Sequence, residues 1–403
     1  MNGIEWLLLA SAGLSWFVAK AILLRAKHLQ LMQSPNHRSS HLRPTASGGG
    51  LGIVVAGLIA SAWLAWSGAT QLWFVLALSL PLAWIGLHND ISHLSAKLRL
   101  AVQLIVVTGL LLALDSLPPL ALWEGTSLDG WLLLGLLFLV GAWWVNLFNF
   151  MDGIDGIAGT QAVFMLLIGS GLAVWAIPAA TASPVWILML IIAAATVGFL
   201  VLNWPPAKIF MGDVGSTWLA FMIIALALLS IQAGWLSYTA WLVLAAAFVT
   251  DTTVTLLNRM VHGDRWYEAH RSHAYQRLSR RWNGDHQTGS RSVTLIVAAI
   301  NLLWLAPCAW ASLRWPEWAL GWVGWCWRMR QSWRVLWHWV LENMMMRDRR
   351  RAYKNPDQSS ILSPRHIRNA ARTVRSSRHR KEKISQTIQV SNRRSTNRLI
   401  ATE

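Results

Sequence analysis

The sequence is poor in cysteine and in charged residues. Its two cysteines, Cys308 and Cys326, are too few for a disulfide framework or for a metal site built from four thiolates. Lys, Arg, Asp and Glu make up only 13% of the 403 residues, whereas 55% are hydrophobic. That share of charge is too small to cover the surface of a water-soluble protein of this length. The composition therefore excludes a soluble globular chain and favours a membrane protein.

Alternating strand patterns are missing too, whereas long apolar segments recur. Each of ten segments approaches the roughly 20 helical residues that cross about 30 Å of hydrocarbon. Because backbone polar groups in lipid must be paired within their own segment, we predict helices. The predicted fold is an all-α polytopic transmembrane bundle of about ten spans, with an eleventh left open. The predicted spans are 4–24, 48–67, 71–88, 98–114, 131–149, 158–177, 185–203, 215–232, 236–257 and 292–312.

Lysine and arginine are distributed unevenly between the loops. The loops at 25–47, 204–214 and 258–291 carry them, and the loop at 89–97 leads into Lys97 and Arg99. The loops at 68–70, 115–130 and 178–184 carry none. Basic residues are retained on the cytoplasmic side, so this distribution predicts an external N-terminus and cytoplasmic basic loops.

Most of the net charge of +17 lies in the C-terminal part. Residues 1–327 have a net charge of +3, and residues 328–403 have a net charge of +14. We therefore predict three regions: a membrane-embedded domain at 1–312, a Trp-rich segment at 313–346 that could form a partial span, and a basic, disordered tail at 347–403. A shifted reading frame and a surface for anionic lipid are both open interpretations of the tail.

Two carboxylates and a carboxamide lie together at the inner end of the fifth span: Asn149, Asp152 and Asp155. Asp152 and Asp155 are three residues apart, so on a helical turn they would share a face. The set offers hard oxygen donors, which suit Mg²⁺ because this ion takes one or two carboxylates together with substrate phosphate oxygens. A polar turn between two helices is the alternative that these residues leave open.

Three further acids fall on the same side of the membrane. Asp90 ends the third span, Asp213 begins the eighth, and Asp251 lies about six residues inside the ninth, or ~9 Å at 1.5 Å per residue. Helix capping, pairing with arginine or polar packing could explain each acid alone. Four acidic positions on one face of the membrane favour a functional site.

The loop at 265–276 and the glycines at 48–52 complete the set of motifs. The loop contains arginine and histidine, which can bind phosphate, with tyrosine and tryptophan. Two histidines spaced as His-x-x-His are a weak zinc signal without a third ligand nearby. The glycines follow no strand, so they are not a nucleotide fingerprint; we expect them to let the second helix begin close to its neighbours.

Together these motifs resemble the polyprenyl-phosphate N-acetylhexosamine-1-phosphate transferase family. The matching pieces are Arg43-Pro-Thr with the glycines that follow, Asn149 to Gly156, Phe210 to Ser216, Asp251-Thr252 and the histidine loop. They occur in the family's order and extend over about residues 1–312. The form of the histidine loop is most similar to the branch that initiates O-antigen synthesis.

The resemblance implies transfer of a sugar-1-phosphate from a UDP-N-acetylhexosamine to undecaprenyl phosphate, with release of UMP. It implies a multi-pass protein of the bacterial cytoplasmic (inner) membrane with its active site facing the cytoplasm. The partners would be these two substrates and membrane lipid, with no nucleic acid, and a homodimer stays open. The resemblance also implies Mg²⁺, or Mn²⁺ in its place, held by Asn149 and Asp213. The remaining implied site residues are Asp90, Asp152 and Asp155 as catalytic groups, and Arg43, Lys97, His270, Arg271 and His273 as substrate-binding groups.

The chain departs from the family at residue 89. Many members have two consecutive aspartates where this chain has Asn89-Asp90. An amide cannot act as a base and binds a metal more weakly than a carboxylate, whereas a positioning role would tolerate it. The sequence does not decide between these roles.

A secondary transporter for an anionic solute is the rival function from another class. It predicts charged or broken-helix residues near the bilayer midplane in paired halves. Spans 2, 4, 6 and 10 contain no such charges, and the sequence has no internal repeat. We therefore expect a transferase.

Overall fold

The computed structural model of the chain consists mainly of helices. It describes residues 3–33, 44–92, 94–123, 125–263, 273–282, 286–318 and 321–324. The α-helices in chain order are α1 (Ile4–Arg25), α2 (Leu51–Trp66), α3 (Leu72–Ser92), α4 (Ala96–Ala113), α5 (Gly130–Met151), α6 (Ile157–Ala176), α7 (Pro184–Asn203), α8 (Gly212–Gln232), α9 (Tyr238–Leu244), α10 (Ala246–Val261), α11 (Ala274–Arg281), α12 (His286–Ile300) and α13 (Ala306–Arg314). A π-helical turn, Asn301–Leu305, joins α12 to α13.

Two short antiparallel strand pairs accompany the helices. Strand β1 (Met32–Gln33) pairs with β2 (Thr45–Ala46), on either side of the undescribed stretch at 34–43. Strand β3 (Leu120–Trp123) pairs with β4 (Thr126–Leu128) in the connection between α4 and α5. A polytopic helical membrane protein, as predicted from the apolar segments, is confirmed.

The number of spans differs in detail from the prediction. Within the described ranges, eight helices are long and apolar enough to cross a membrane. A ninth span is formed if α9 and α10, which meet at an angle of 73°, are counted as one. Helix α2 occupies the second predicted segment but has only 16 residues, so it falls short of the roughly 20 that a full crossing needs. Every predicted segment is thus helical, but two of the ten are not simple spans.

Side-chain amides stabilise the break between α9 and α10. The carbonyl of Leu244 accepts a hydrogen bond from Gln161 Nε2 at 2.9 Å, while the N–H groups of Phe248 and Val249 both donate to Ala245 O. Asn301, in the π-helical turn, donates to Gln161 Oε1 at 2.7 Å, and both amide side chains are fully buried. These contacts compensate the carbonyl that the break leaves without a helical partner, as an apolar environment requires. Neither proline nor glycine marks the break, so the apolar pattern could not predict it.

Helix α8 lies at the centre of the bundle, where 94% of the residues in its most apolar stretch are buried, whereas the corresponding share for α1 is 17%. Small residues bring its neighbours close to its first turn. A methyl group on Gly86 of α3 would lie 2.6 Å from Val214 Cα, and one on Gly50 would lie 2.8 Å from Met211 O. A Cβ atom essentially never lies this close to a backbone atom, so glycine is required at both positions. The expected function of the glycines, close approach of α2 to its neighbours, is therefore observed.

Candidate active site

Asp213, in the first turn of α8, accepts hydrogen bonds from three side chains on other helices. Its Oδ2 accepts from Asn89 Nδ2 at 2.7 Å and from Arg99 Nη1 at 2.6 Å. Its Oδ1 accepts from Asn149 Nδ2 at 3.0 Å, and the same amide nitrogen donates to Ser216 Oγ at 2.8 Å. Helices α3, α4, α5 and α8 therefore meet at one carboxylate.

Asp90 caps the helix on which Asp213 lies. Its two carboxylate oxygens accept the backbone N–H groups of Asp213 and Val214, at 2.8 and 3.1 Å. These belong to the first turn of α8, where N–H groups have no partner within the helix. Gly212, with φ of +76°, makes the turn into α8. Asp90 therefore fixes the backbone of Asp213, and neither Asp213 nor Ser216 caps α8 through its own side chain.

The orientation of the Asn89 amide is fixed by a second hydrogen bond. Its Oδ1 accepts the backbone N–H of Leu94 at 2.8 Å. The nitrogen must then face Asp213, where it donates as described. In this chain residue 89 thus contributes a neutral donor to Asp213.

Arg99 is a site residue that the sequence did not single out. It is one helical half-turn beyond Lys97 in α4, and it forms an ion pair with Asp213. Lys97 is exposed in the first turn of α4, and among the described residues it forms no hydrogen bond or ion pair with the Asp213 cluster. Its predicted role in substrate binding stays a prediction. Arg99 is less exposed than Lys97 because of how α4 packs within the bundle, and this packing could not be read from the sequence alone.

The segment from Asp152 to Gly156 is an irregular turn between α5 and α6. Helix α5 ends at Met151, and Gly156 has a φ of +76°. Asp152 and Asp155 therefore do not share a helical face, as they would on a continuous helical turn. The Asp155 carboxylate accepts the backbone N–H of Ala207 at 2.9 Å, and the Asp155 carbonyl accepts from Thr294 Oγ1 at 3.0 Å. Asp155 thus anchors this turn to the loop between α7 and α8.

Asp152 differs from the other acids because nothing in the described ranges donates a hydrogen bond to its carboxylate. Burial, followed by the charges of Asp213, Asp90 and Asp155, raises its pKa to about 8. Like charges and loss of water both disfavour an ionised carboxylate. A carboxyl group with this pKa can exchange a proton near neutral pH.

Backbone pairing joins two of the sequence motifs. Phe210 N donates to Ala46 O at 2.8 Å, Gly49 N donates to Phe210 O at 2.9 Å, and Gly50 N donates to Met211 O at 2.9 Å. The residues that follow Arg43 in sequence therefore lie beside the segment that leads into Asp213. Arg43 itself lies outside the described residues, as do His270 and Arg271, and their predicted contacts with substrate stay predictions.

His273 and Asp251 lie together at the start of α11. The Asp251 carboxylate accepts the N–H groups of Ala274 and Tyr275, at 2.9 and 3.1 Å. His273 Nδ1 lies 3.6 Å from Asp251 Oδ1, and the His273 side chain is only 3% exposed. Of the explanations that the sequence left open for Asp251, capping is the one observed, although the capped helix is α11. The structure thus places His273 against a carboxylate, in a buried position.

Comparison with known proteins identifies the family. A family model described as "Glycosyl transferase family 4" matches residues 72–231, the range from α3 to α8 that contains Asp90, Asp152 and Asp213. The chain is 32% identical over 261 residues to the probable undecaprenyl-phosphate N-acetylglucosaminyl 1-phosphate transferase of Bacillus subtilis, covering 61% of this chain and 69% of that protein. It is 30% identical over 334 residues to the phospho-N-acetylmuramoyl-pentapeptide-transferase of Synechococcus elongatus, covering 76% and 85%. The decaprenyl-phosphate N-acetylglucosaminephosphotransferase of Mycobacterium tuberculosis is 28% identical over 314 residues, covering 67% and 74%.

The chain belongs to glycosyl transferase family 4. The Bacillus subtilis and Synechococcus elongatus relatives, each at least 30% identical, are matched over more than two thirds of their length. As a member of this family, the protein is a transferase with its polar cluster at the end of a membrane-embedded helical bundle.

The donor set of this glycosyl transferase family 4 member fits Mg²⁺. Four carboxylates interact electrostatically at the cluster, and Arg99 is the cation paired with Asp213. The excess of negative charge favours a divalent cation. No group of three or more His, Cys, Asp or Glu side chains in the described part of the chain could hold a metal alone. A cation here would therefore need further ligands, such as amide, water or substrate phosphate oxygens, all of which Mg²⁺ accepts.

Proposed function

We propose that the protein transfers N-acetylhexosamine 1-phosphate from a UDP-N-acetylhexosamine to undecaprenyl phosphate and releases UMP. The reaction would take place at the cytoplasmic face of the bacterial inner membrane and would begin the synthesis of a lipid-linked surface polysaccharide such as O-antigen. The observation that supports this most strongly is the cluster at Asp213, with its carboxylates, amides and Arg99 at one end of a membrane bundle. The relatives, named for transfer of sugar phosphates to polyprenyl phosphate, support the same class of reaction.

The proposed step makes one P–O bond and breaks another. An oxygen of the acceptor phosphate attacks the β-phosphorus of the nucleotide sugar, and the bond from this phosphorus to the oxygen bridging the two phosphates breaks. UMP leaves with that oxygen. The acceptor is a phosphate monoester with a second pKa near ~6, so it is largely dianionic at neutral pH. Deprotonation of the acceptor is therefore not a strict requirement.

The chain's own residues have separable tasks in this proposal. Asp90 and Asn89 hold Asp213, and Arg99 supplies positive charge beside it. Asn149 and Asp213 would hold Mg²⁺, or Mn²⁺ in its place, and the ion when bound neutralises charge on the diphosphate oxygens. Asp152, with its pKa of about 8, can take a proton from the acceptor fraction that is still protonated.

A transporter is the weaker alternative. The break between α9 and α10 is the only bent pair of helices in the described ranges, so it has no counterpart in a second half of the bundle. Membership of a transferase family also favours catalysis.

UMP release tests the proposal. Purified protein in detergent would be mixed with undecaprenyl phosphate, Mg²⁺ and a panel of UDP-sugars that includes UDP-N-acetylglucosamine and UDP-N-acetylmuramoyl-pentapeptide. We expect lipid-dependent release of UMP with one donor. The rate of release should fall at least about 100-fold in D213N. It should be unchanged in the control D115N, which alters an acid in the connection between α4 and α5. No release with any donor from folded protein would overturn the proposal.

A further inference from the structure

Helix α11 begins at a carboxylate of another helix. Asp251 of α10 accepts the first two backbone N–H groups of α11, those of Ala274 and Tyr275, and His273 lies beside the same carboxylate. These N–H groups would otherwise lack partners, because the first turn of a helix leaves its donors free. Asp251 therefore fixes both where α11 begins and how it is directed.

The side chains of the first turn of α11 reach the turn that contains Asp152. The Tyr275 hydroxyl donates to the backbone carbonyl of Phe150 at 3.0 Å, and Tyr275 is buried. A methyl group on Gly153 would overlap the Tyr275 hydroxyl oxygen and would lie 2.6 Å from Gln276 Nε2. The turn is thus built directly against Tyr275 and Gln276, and glycine at 153 is what makes this fit.

Tyr275 remains a hydrogen-bond donor over the physiological range of pH. Burial, with the charges of Asp251 and Asp152, raises the pKa of its hydroxyl well above the usual value. Its bond to Phe150 O is therefore a constant part of the structure near neutral pH.

The Asp152 carboxylate depends on this support. It receives no hydrogen bond from the residues that the structure describes, so its direction follows from the backbone of its turn. Asp155 holds the far end of that turn through Ala207, and Tyr275 holds the near end through Phe150.

We infer that Asp251 is a positioning residue for the transfer reaction, acting through the start of α11 and Tyr275 to set the turn that holds Asp152. The inference rests on the proposed function. Nothing in the contacts of Asp251 requires it to touch a substrate.

The first experiment compares two tyrosines. Y275F and Y238F each remove one hydroxyl that donates to a backbone carbonyl, at 3.0 Å to Phe150 and 2.9 Å to Pro118, but Tyr238 contacts the connection between α4 and α5. We expect Y275F and D251N to lower kcat about 10-fold or more, with the KM values for both substrates within about 2-fold, because a shifted reacting group affects the chemical step. Y238F should keep the wild-type kcat. Equal kcat values for Y275F and Y238F would overturn the inference.

A second-site variant tests the contact itself. G153A should be nearly inactive, since its methyl group has no space beside the Tyr275 hydroxyl. The double variant G153A/Y275F removes the overlapping oxygen, and we expect it to be at least about 5-fold more active than G153A, although Y275F alone is impaired. A fully active G153A would contradict the proposed contact.

Thermal unfolding separates failure of this inference from failure of the proposed function. If the wild type releases no UMP with any donor, the proposed function fails, and the link is judged from melting temperatures. D251N and Y275F act on one connection. The decrease in melting temperature of the double variant should therefore be smaller than the sum of the decreases in the two single variants. Fully additive losses would overturn the link between Asp251 and Tyr275 whatever the activity.

Discussion

Replacing Asn89 by aspartate tests how Asp213 is held, since it exchanges an amide donor for a negative charge at nearly constant shape. The backbone N–H of Leu94, 2.8 Å from Asn89 Oδ1, would keep one oxygen of the new carboxylate. Its second oxygen would then face Asp213 Oδ2, where the amide nitrogen now lies at 2.7 Å. The substitution therefore places two carboxylates in contact.

The expected cost follows from two effects. Two unit charges about 4 Å apart repel by about 4 kcal/mol at an effective dielectric constant of 20. A hydrogen bond to a charged group, worth roughly 1.5–3 kcal/mol, is lost as well. Arg99 offsets part of the repulsion, and the 34% and 22% exposure of the Arg99 and Asp213 side chains screens it further. We expect a net loss of about 2 kcal/mol for N89D without metal, and about 1 kcal/mol for N89A, which loses only the hydrogen bond.

The assay is thermal unfolding in detergent, followed by the fluorescence of the 28 tryptophans. With a chelator present, we expect the melting temperature to fall in the order wild type, N89A, N89D, with N89D about 4 °C below wild type. Addition of Mg²⁺ should reverse the order of the two variants. The new carboxylate is a further hard ligand, and the cation neutralises the repulsion, so N89D gains the most from binding.

Two results would refute this reasoning. If N89D melts at the wild-type temperature in the presence of the chelator, the Asn89 amide is not a donor to Asp213. If Mg²⁺ raises the melting temperatures of N89D and N89A equally, the cation does not bind beside residue 89.

Three further predictions concern protonation, charge and orientation. Because the pKa of Asp152 is raised to about 8, its ionised fraction increases through that pH. The rate of UMP release should therefore rise from about pH 6.5 to about 8.5 in the wild type and should rise less in D152N. More Mg²⁺ should move the rise to lower pH, because a cation favours the ionised carboxylate; a profile identical in D152N would contradict the assignment. R99Q should lower the same rate by at least about 100-fold, since it leaves Asp213 without its cation, whereas K97Q should stay within about 3-fold; equal losses would show that the two bases share one role. In a cysteine-free background, a cysteine at position 115 should react with an impermeant maleimide on intact cells, and one at position 208 only after permeabilisation; the opposite pattern would reverse the proposed topology.

The helical architecture could be predicted because lipid imposes a length and a composition on each span. The apolar segments located the membrane-capable helices but not α11, which lies in the predicted loop at 258–291. The unequal distribution of lysine and arginine predicted which loops share a side. The break at Ala245 could not be predicted, since it depends on Gln161 and Asn301, which are distant in sequence. A glutamine or asparagine within an apolar segment does not by itself predict a helix break. Its role becomes visible only when the packing places it beside a carbonyl that lacks a helical partner.

The sequence predicted which residues belong to the candidate site better than it predicted how they contact one another. The motifs selected Asp90, Asn149 and Asp213, and the structure brings these three together. The sequence could not reveal that Asp90 caps α8, or that Arg99 rather than Lys97 reaches Asp213, because both facts depend on how α3 and α4 pack against α8. His273 is a similar case, since its burial against Asp251 depends on the start of α11.

Transfer of the β-phosphate to the lipid is the central claim, and isotope labelling tests it most directly. The protein would be incubated with undecaprenyl phosphate, Mg²⁺ and a UDP-N-acetylhexosamine labelled with ³²P at the β-phosphorus, and the label would be followed after organic extraction. We predict that the label moves into the lipid phase in a diphosphate-linked sugar while unlabelled UMP appears in the water phase. Label that stays in the water phase as UDP while the sugar alone becomes lipid-linked would show attack at the sugar carbon and would contradict the proposed reaction.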